Sequence, residues 1–89
     1  MRAVITVLGK DMVGILAKVS NVCADNGVNV VEVTQSIMQD LFAMIMVVEI
    51  DNSKIPFSDL NDELVKLGDE IGLKIHVMHE DIFNSMHKI

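Results

Sequence analysis

Apolar positions along the chain switch between two spacings. Residues 3 to 8, Ala-Val-Ile-Thr-Val-Leu, are apolar and largely β-branched on both alternating sets, the mark of a strand buried on both faces. Gly9-Lys10-Asp11 is expected to break it. Met12, Ile15, Leu16, Val19, Val22 and Cys23 then recur at spacings of three and four, with Lys18, Asn21 and Asp25 between them. That predicts a helix with one buried face, closed by Asn26-Gly27, residues that tolerate a left-handed cap. From 28 to 38 the period returns to two: Val31, Val33 and Ile37 alternate with Glu32, Thr34 and Ser36. Gln39-Asp40 is a tight turn, and residues 41 to 50 complete a hairpin. In this third strand both sets are apolar, Phe42, Met44, Met46, Val48 and Ile50 on one and Leu41, Ala43, Ile45 and Val47 on the other.

After a loop at 51 to 54, Pro56 precedes a second helix of about fifteen residues, with Phe57, Leu60, Leu64, Leu67 and Ile71 at helical spacing. Asp59, Asp62, Glu63 and Lys66 face outward, and the early acids suit the helix dipole. Gly68 weakens this helix and Gly72 ends it. Residues 73 to 79 alternate as a half-exposed strand. The tail, 81 to 89, places Ile82, Phe83, Met86 and Ile89 on one side of a short amphipathic helix.

Strand, helix, strand, strand, helix, strand predicts an α+β fold, the ferredoxin-like βαββαβ two-layer sandwich. Strands one and three, apolar on both sets, take its centre, and strands two and four take its edges. No repeat, linker or low-complexity stretch divides the chain, so residues 1–89 are read as one domain. Helices cover only one face of such a sheet. The second apolar set of the central strands then forms a larger exposed patch than monomers usually carry. A homodimer in which the tail helps cover that face is expected.

Composition narrows the function. The 89 residues carry a net charge of -6, and 51% are apolar but only 3% aromatic. That charge is wrong for nucleic acid, which needs clustered Lys and Arg, and the aromatic platforms of single-strand binders are missing. One cysteine, Cys23, makes neither an internal disulfide nor a cysteine-rich zinc site. No signal peptide is visible, and no run approaches the roughly eighteen apolar residues of a membrane span. A cytoplasmic domain without a membrane or nucleic-acid partner is expected.

The segment Gly9-Lys10-Asp11-Met12-Val13-Gly14, between a buried strand and a helix, is the informative one. Two glycines let backbone approach a ligand, and free N–H groups at a helix start attract a carboxylate. Lys10 adds positive charge, and Asp11 can accept from an ammonium group. The arrangement suits a small zwitterion such as an amino acid. Its bland alternative is that Asp11 caps the helix and Gly14 packs it against the sheet.

Leu8-Gly9-Lys10-Asp11-Met12-Val13-Gly14-Ile15-Leu16, Asn26-Gly27-Val28-Asn29-Val30 and Gln35-Ser36 together resemble the ACT domain, over nearly the whole chain. The resemblance is to the small stand-alone ACT proteins related to glycine-cleavage regulators. It implies a regulatory module, not an enzyme, that binds an amino acid or other small ligand between paired domains and signals to a protein partner. It also implies a site formed by the first loop, with its glycine at Gly14, and by the start of the second strand, with its asparagine at Asn29. Val13 stands where many members carry Pro, and Met12 where a charged residue is frequent. The candidate ligand-binding set is Lys10, Asp11, Met12, Val13, Gly14, Ile15, Asn29 and Val30. Asn29 has a second reading, in which its amide only satisfies the turn into the strand. A dimerisation or docking module without a small ligand is the rival to the whole reading.

No cofactor and no metal site is expected. His76 and His79 lie three apart on a strand, so they point to opposite faces. Cys23 reads as inert core, Met44 and Met46 as core filler, and Met78, Phe83 and Met86 as interface candidates. No nucleophile, histidine and carboxylate form a catalytic constellation.

Overall fold

The chain order is β1 (Arg2–Lys10), α1 (Ile15–Asp25), β2 (Asn29–Met38), β3 (Leu41–Glu49), α2 (Phe57–Ile71), β4 (Lys74–His79) and α3 (Glu80–Met86). This computed structural model describes residues 1–10 and 14–86, with Met38 described by its backbone alone. Asp11, Met12 and Val13, and the last three tail positions His87, Lys88 and Ile89, lie outside the described residues.

The four strands form one antiparallel sheet in the order β2-β3-β1-β4. The two strands that are apolar on both sets are therefore the central ones, as their pattern requires. One set faces the helices. On β1 it is Ala3, Ile5 and Val7, on β3 Phe42, Met44, Met46 and Val48, and on β4 Ile75 and Val77, all buried. Ile15, Val19 and Cys23 of α1 and Leu60 and Leu64 of α2 close on this layer. Met44 and Met46 are fully enclosed, ordinary core as their positions predict.

Two local expectations change, at Gly9 and Gly68, and a third, the left-handed close of α1, is assigned to one residue. β1 does not break at Gly9 but runs through it to Lys10, because Gly9 pairs with Phe42 and Lys10 with Leu41 on β3. In the turn after α1, Gly27 takes the left-handed conformation at φ 72°, while Asn26 stays at φ -105°. Gly68 is less a flaw in α2 than a contact point. A Cβ there would lie 2.7 Å from the Leu73 carbonyl oxygen, whose own N–H donates to the Gly68 carbonyl at 2.8 Å. The missing side chain lets the end of α2 close on the entry to β4.

Candidate functional site

Gly14 occupies the N-cap position of α1 at φ 83°, ψ 11°, and no side chain caps the helix. Among the described residues beyond its chain neighbours, nothing lies within 4 Å of where its Cβ would stand. The residue is exposed, so glycine is required here by backbone conformation and not by close packing. Among the described residues Gly14 has no contact that packs it against the sheet; Asp11, the other half of the bland alternative, lies outside them. The first-turn N–H groups of α1 have no partner within the helix. Lys10, exposed, ends β1.

Ile15 contributes only backbone to such a turn, because its side chain is 3% exposed and part of the core. Asn29 is exposed and Val30 half-buried, the latter against the core cluster. The turn before them is held by other groups. The Val28 N–H donates to the Cys23 carbonyl at 2.8 Å, and the Lys54 N–H to the Asn26 carbonyl at 2.7 Å. Asn26 Nδ2 donates to the Val22 carbonyl at 2.9 Å and to Glu63 Oε2 at 3.1 Å. Asn26, not Asn29, is the asparagine that serves this turn.

The register separates the two halves of the expected site. Lys10 pairs with Leu41 at one end of the sheet, whereas Asn29 pairs with Glu49, which pairs with Arg2 at the other. Arg2 and Lys10 are eight steps apart along β1, roughly 26 Å at the strand rise. Within one chain Lys10 and Asn29 do not meet.

Two concavities lie elsewhere. One, of about 270 Å³, is bordered by Met1, Arg2, His79, Glu80 and Asp81. Arg2 Nη1 stands 3.6 Å from Glu80 Oε2 there, and the N-terminal ammonium pairs with Asp51. The other is an apolar groove of about 340 Å³ on the face of the sheet away from α1 and α2, with Thr6, Leu8, Ala43, Ile45, His76 and Met78 on its floor and Phe83 and Met86 of α3 beside it. Neither is lined by Lys10, Gly14, Ile15, Asn29 or Val30. Met78, Phe83 and Met86 do come together, although the pattern alone did not reveal the groove they share with Thr6 and His76. That required the β1–β4 register, in which Thr6 faces His76.

His76 and His79 point to opposite faces as their spacing predicts. His76 borders the groove, and His79 stacks on Phe57 with ring centroids 4.4 Å apart. Among the described residues no three His, Cys, Asp or Glu side chains cluster as metal ligands would, and no helix is long and apolar enough to cross a membrane. Cys23 is wholly enclosed, and burial raises its thiol from 9.0 to about 11.

Comparison with known proteins follows this geometry. The ACT domain family matches residues 2–78. The chain belongs to the ACT domain family. ACT domains are regulatory domains that bind small ligands. A relative of this ACT domain, a UPF0237 protein of Methanococcus maripaludis, is 55% identical over 86 residues, covering 97% of this chain and 96% of its own. An ACT domain protein from Streptococcus pneumoniae superposes with a TM-score of 0.81 at 37% identity, over 93% of each chain. A protein described as a glycine cleavage system transcriptional repressor superposes with a TM-score of 0.71 at 22% identity, over 85% of this ACT domain and 43% of its own chain. That last likeness is one of fold.

Proposed function

We propose that this ACT domain is a non-catalytic sensor of a small amino acid, held between two copies of the chain. The observation that carries the reading is Gly14: an exposed, left-handed glycine at a helix start that, among the described residues, no side chain caps or crowds. An amino-acid carboxylate suits the N–H groups at Gly14 and Ile15, with Lys10 adjacent. Its ammonium suits the Asn29 amide oxygen, or Asp11. The backbone of Met12 and Val13 and the side chain of Val30 complete the candidate set.

The separation of Asn29 from Lys10 requires the two halves to come from different chains. β2 offers the means. It is an edge strand of ten residues, with no proline and no lysine to blunt it. Antiparallel pairing of β2 with its copy sets the start of one β2 beside the end of the other. The first loop of one chain is then brought toward Asn29 of its partner.

Thermal shift and calorimetry against the twenty amino acids test the reading. A ligand at a hundred times its dissociation constant adds about 2.7 kcal/mol. Gly14→Ala and Asn29→Ala should each abolish binding. Mixed together in equal amounts, the two variant chains should regain binding at about a quarter of all sites, because about half the dimers are mixed and each mixed dimer has one intact site and one doubly damaged one. If no amino acid stabilises the protein at millimolar concentration while the chain still self-associates, the rival reading holds: an interaction module without a small ligand.

A further inference from the structure

The apolar groove on the open face of the sheet takes no part in the first-loop site, and its lining has a chemistry of its own. The register sets its floor. Leu8 lies between Ala43 and Lys74 in one cross-strand row, and Thr6 lies between Ile45 and His76 in the next. Phe83 and Met86 of α3 flank that floor. The space is about 340 Å³, near the lower end of small-molecule sites. At roughly 30 Å³ for each water-sized group, it takes an apolar body of roughly six to ten heavy atoms. Leu8 and Ile45 stay 45% and 37% exposed there, and the thioethers of Met78 and Met86 adapt to the shape of a guest.

Polar groups gather on one side of the groove, along β4. Thr6 and His76 share the middle row and offer a hydroxyl and an imidazole N–H. Lys74 stands one row further on the same face, about 7 Å along the strand. A lysine lays its stem on apolar surface while its ammonium stays in water. Among the described residues Lys74 and His76 have no ion-pair partner. The acids lie elsewhere. Glu32 is on β2, three strands from β4, and Asp40 is in the β2–β3 turn, two strands away. Glu49 pairs with Arg2 at the far end of the sheet. Glu80 and Asp81 begin α3 at that same end, where Arg2 takes up Glu80 at 3.6 Å. An apolar trough with a cation on one edge and no carboxylate beside it complements an anion with an apolar body.

We propose that the groove binds a small monocarboxylic acid with an apolar tail. The tail lies over Thr6, Ala43 and Ile45 beside Phe83 and Met86, and the carboxylate reaches Lys74 and His76. An amino acid does not suit this site, because its ammonium would stand either against Lys74 or unpaired on apolar wall. The groove and the first loop therefore take different molecules, and this inference does not rest on the first-loop reading.

Calorimetry with sodium octanoate is the test. The wild-type chain should bind octanoate at millimolar concentration or below, bind 1-octanol roughly three- to tenfold more weakly, and not bind octylamine. Ala43→Leu fills the floor and should weaken octanoate by about tenfold or more. Lys74→Glu should weaken octanoate by at least about threefold and leave 1-octanol unchanged. Lys74 is exposed on an edge strand, so its exchange leaves the core untouched, and circular dichroism melts close to wild type establish that both variants are folded. Octanoate is titrated with no amino acid present, so the first-loop reading stands or falls separately. No binding of octanoate at millimolar concentration, or undiminished binding to folded Ala43→Leu, overturns the site. Equal losses of octanoate and 1-octanol in Lys74→Glu overturn the placing of the carboxylate. Octanoate affinity that falls as chain concentration and sedimenting mass rise together gives the groove to a second copy, and overturns the proposal as well.

Discussion

At the scale of single residues, backbone and burial decide more than residue type does. Gly68 illustrates it. In an exposed helix interior, Gly→Ala gains about 1 kcal/mol from propensity alone. Here the added Cβ would meet the Leu73 carbonyl oxygen at 2.7 Å and Ile75 Cγ1 at 3.0 Å, and a carbonyl in the turn into β4 cannot swing aside like a side-chain end. Gly68→Ala should therefore lower stability by about 1–3 kcal/mol, read as a lower urea midpoint. Cys23 gives a second case, and its inertness was legible because its spacing put it on the apolar face of α1. Burial disfavours the thiolate and raises the thiol to about 11 from 9.0. The folded chain thus holds this proton more tightly than the unfolded one. Stability should be level below pH 9, fall as pH rises from about 9 to about 11, and then level off again as far as this group is concerned. Urea midpoints at pH 8 and pH 10.5 check the sign. Cys23 should also resist disulfide reagents at pH 8 until the chain is unfolded.

At the scale of elements, the pattern was informative wherever an element met the core on its own period. The fifteen residues of α2 and the central placing of β1 and β3 followed from spacing and from two-sided apolarity. What spacing could not show was set by neighbours. Gly9 reads as a break, yet it is held in the ladder opposite Phe42, with Leu73 Cδ2 2.2 Å from where its Cβ would be. The bulge between Val30 and Glu32 leaves no mark in the alternation, since Val30, Val31 and Val33 are alike in type. α3 has no buried residue of its own. Its worth lies in what it covers. Val4 is 1% exposed and yet stands outside the helix-side core, on the face that α3 crosses. A chain ending at His79 should uncover Val4, lose about 2 kcal/mol of stability and bind more of a hydrophobic dye than the full chain does.

For the whole molecule, the two-layer design leaves one sheet face and one sheet edge unfinished, and the candidate site divided between distant ends of the sheet. The fold was legible because it follows from one chain's own periodicity. The completed site was not, since whether Lys10 meets Asn29 depends on how copies associate, and a sequence encodes that only through charge and apolar surface left over after folding. Association that buries native surface must feed back on stability. The unfolded chain cannot form the β2 contact, so raising the chain concentration favours the folded assembly by mass action. For a dimer, a tenfold rise adds about 1.4 kcal/mol per mole of assembly. Shared between two chains of 89 residues, that should raise the melting temperature by a few degrees per decade of concentration. Gln35→Lys with Ile37→Lys, which puts charge on the exposed β2 edge, should reduce this slope between 1 µM and 100 µM. Differential scanning fluorimetry across that range measures it. A wild-type melting temperature that does not move with concentration would sink the β2 contact, and with it any site that needs residues from two chains.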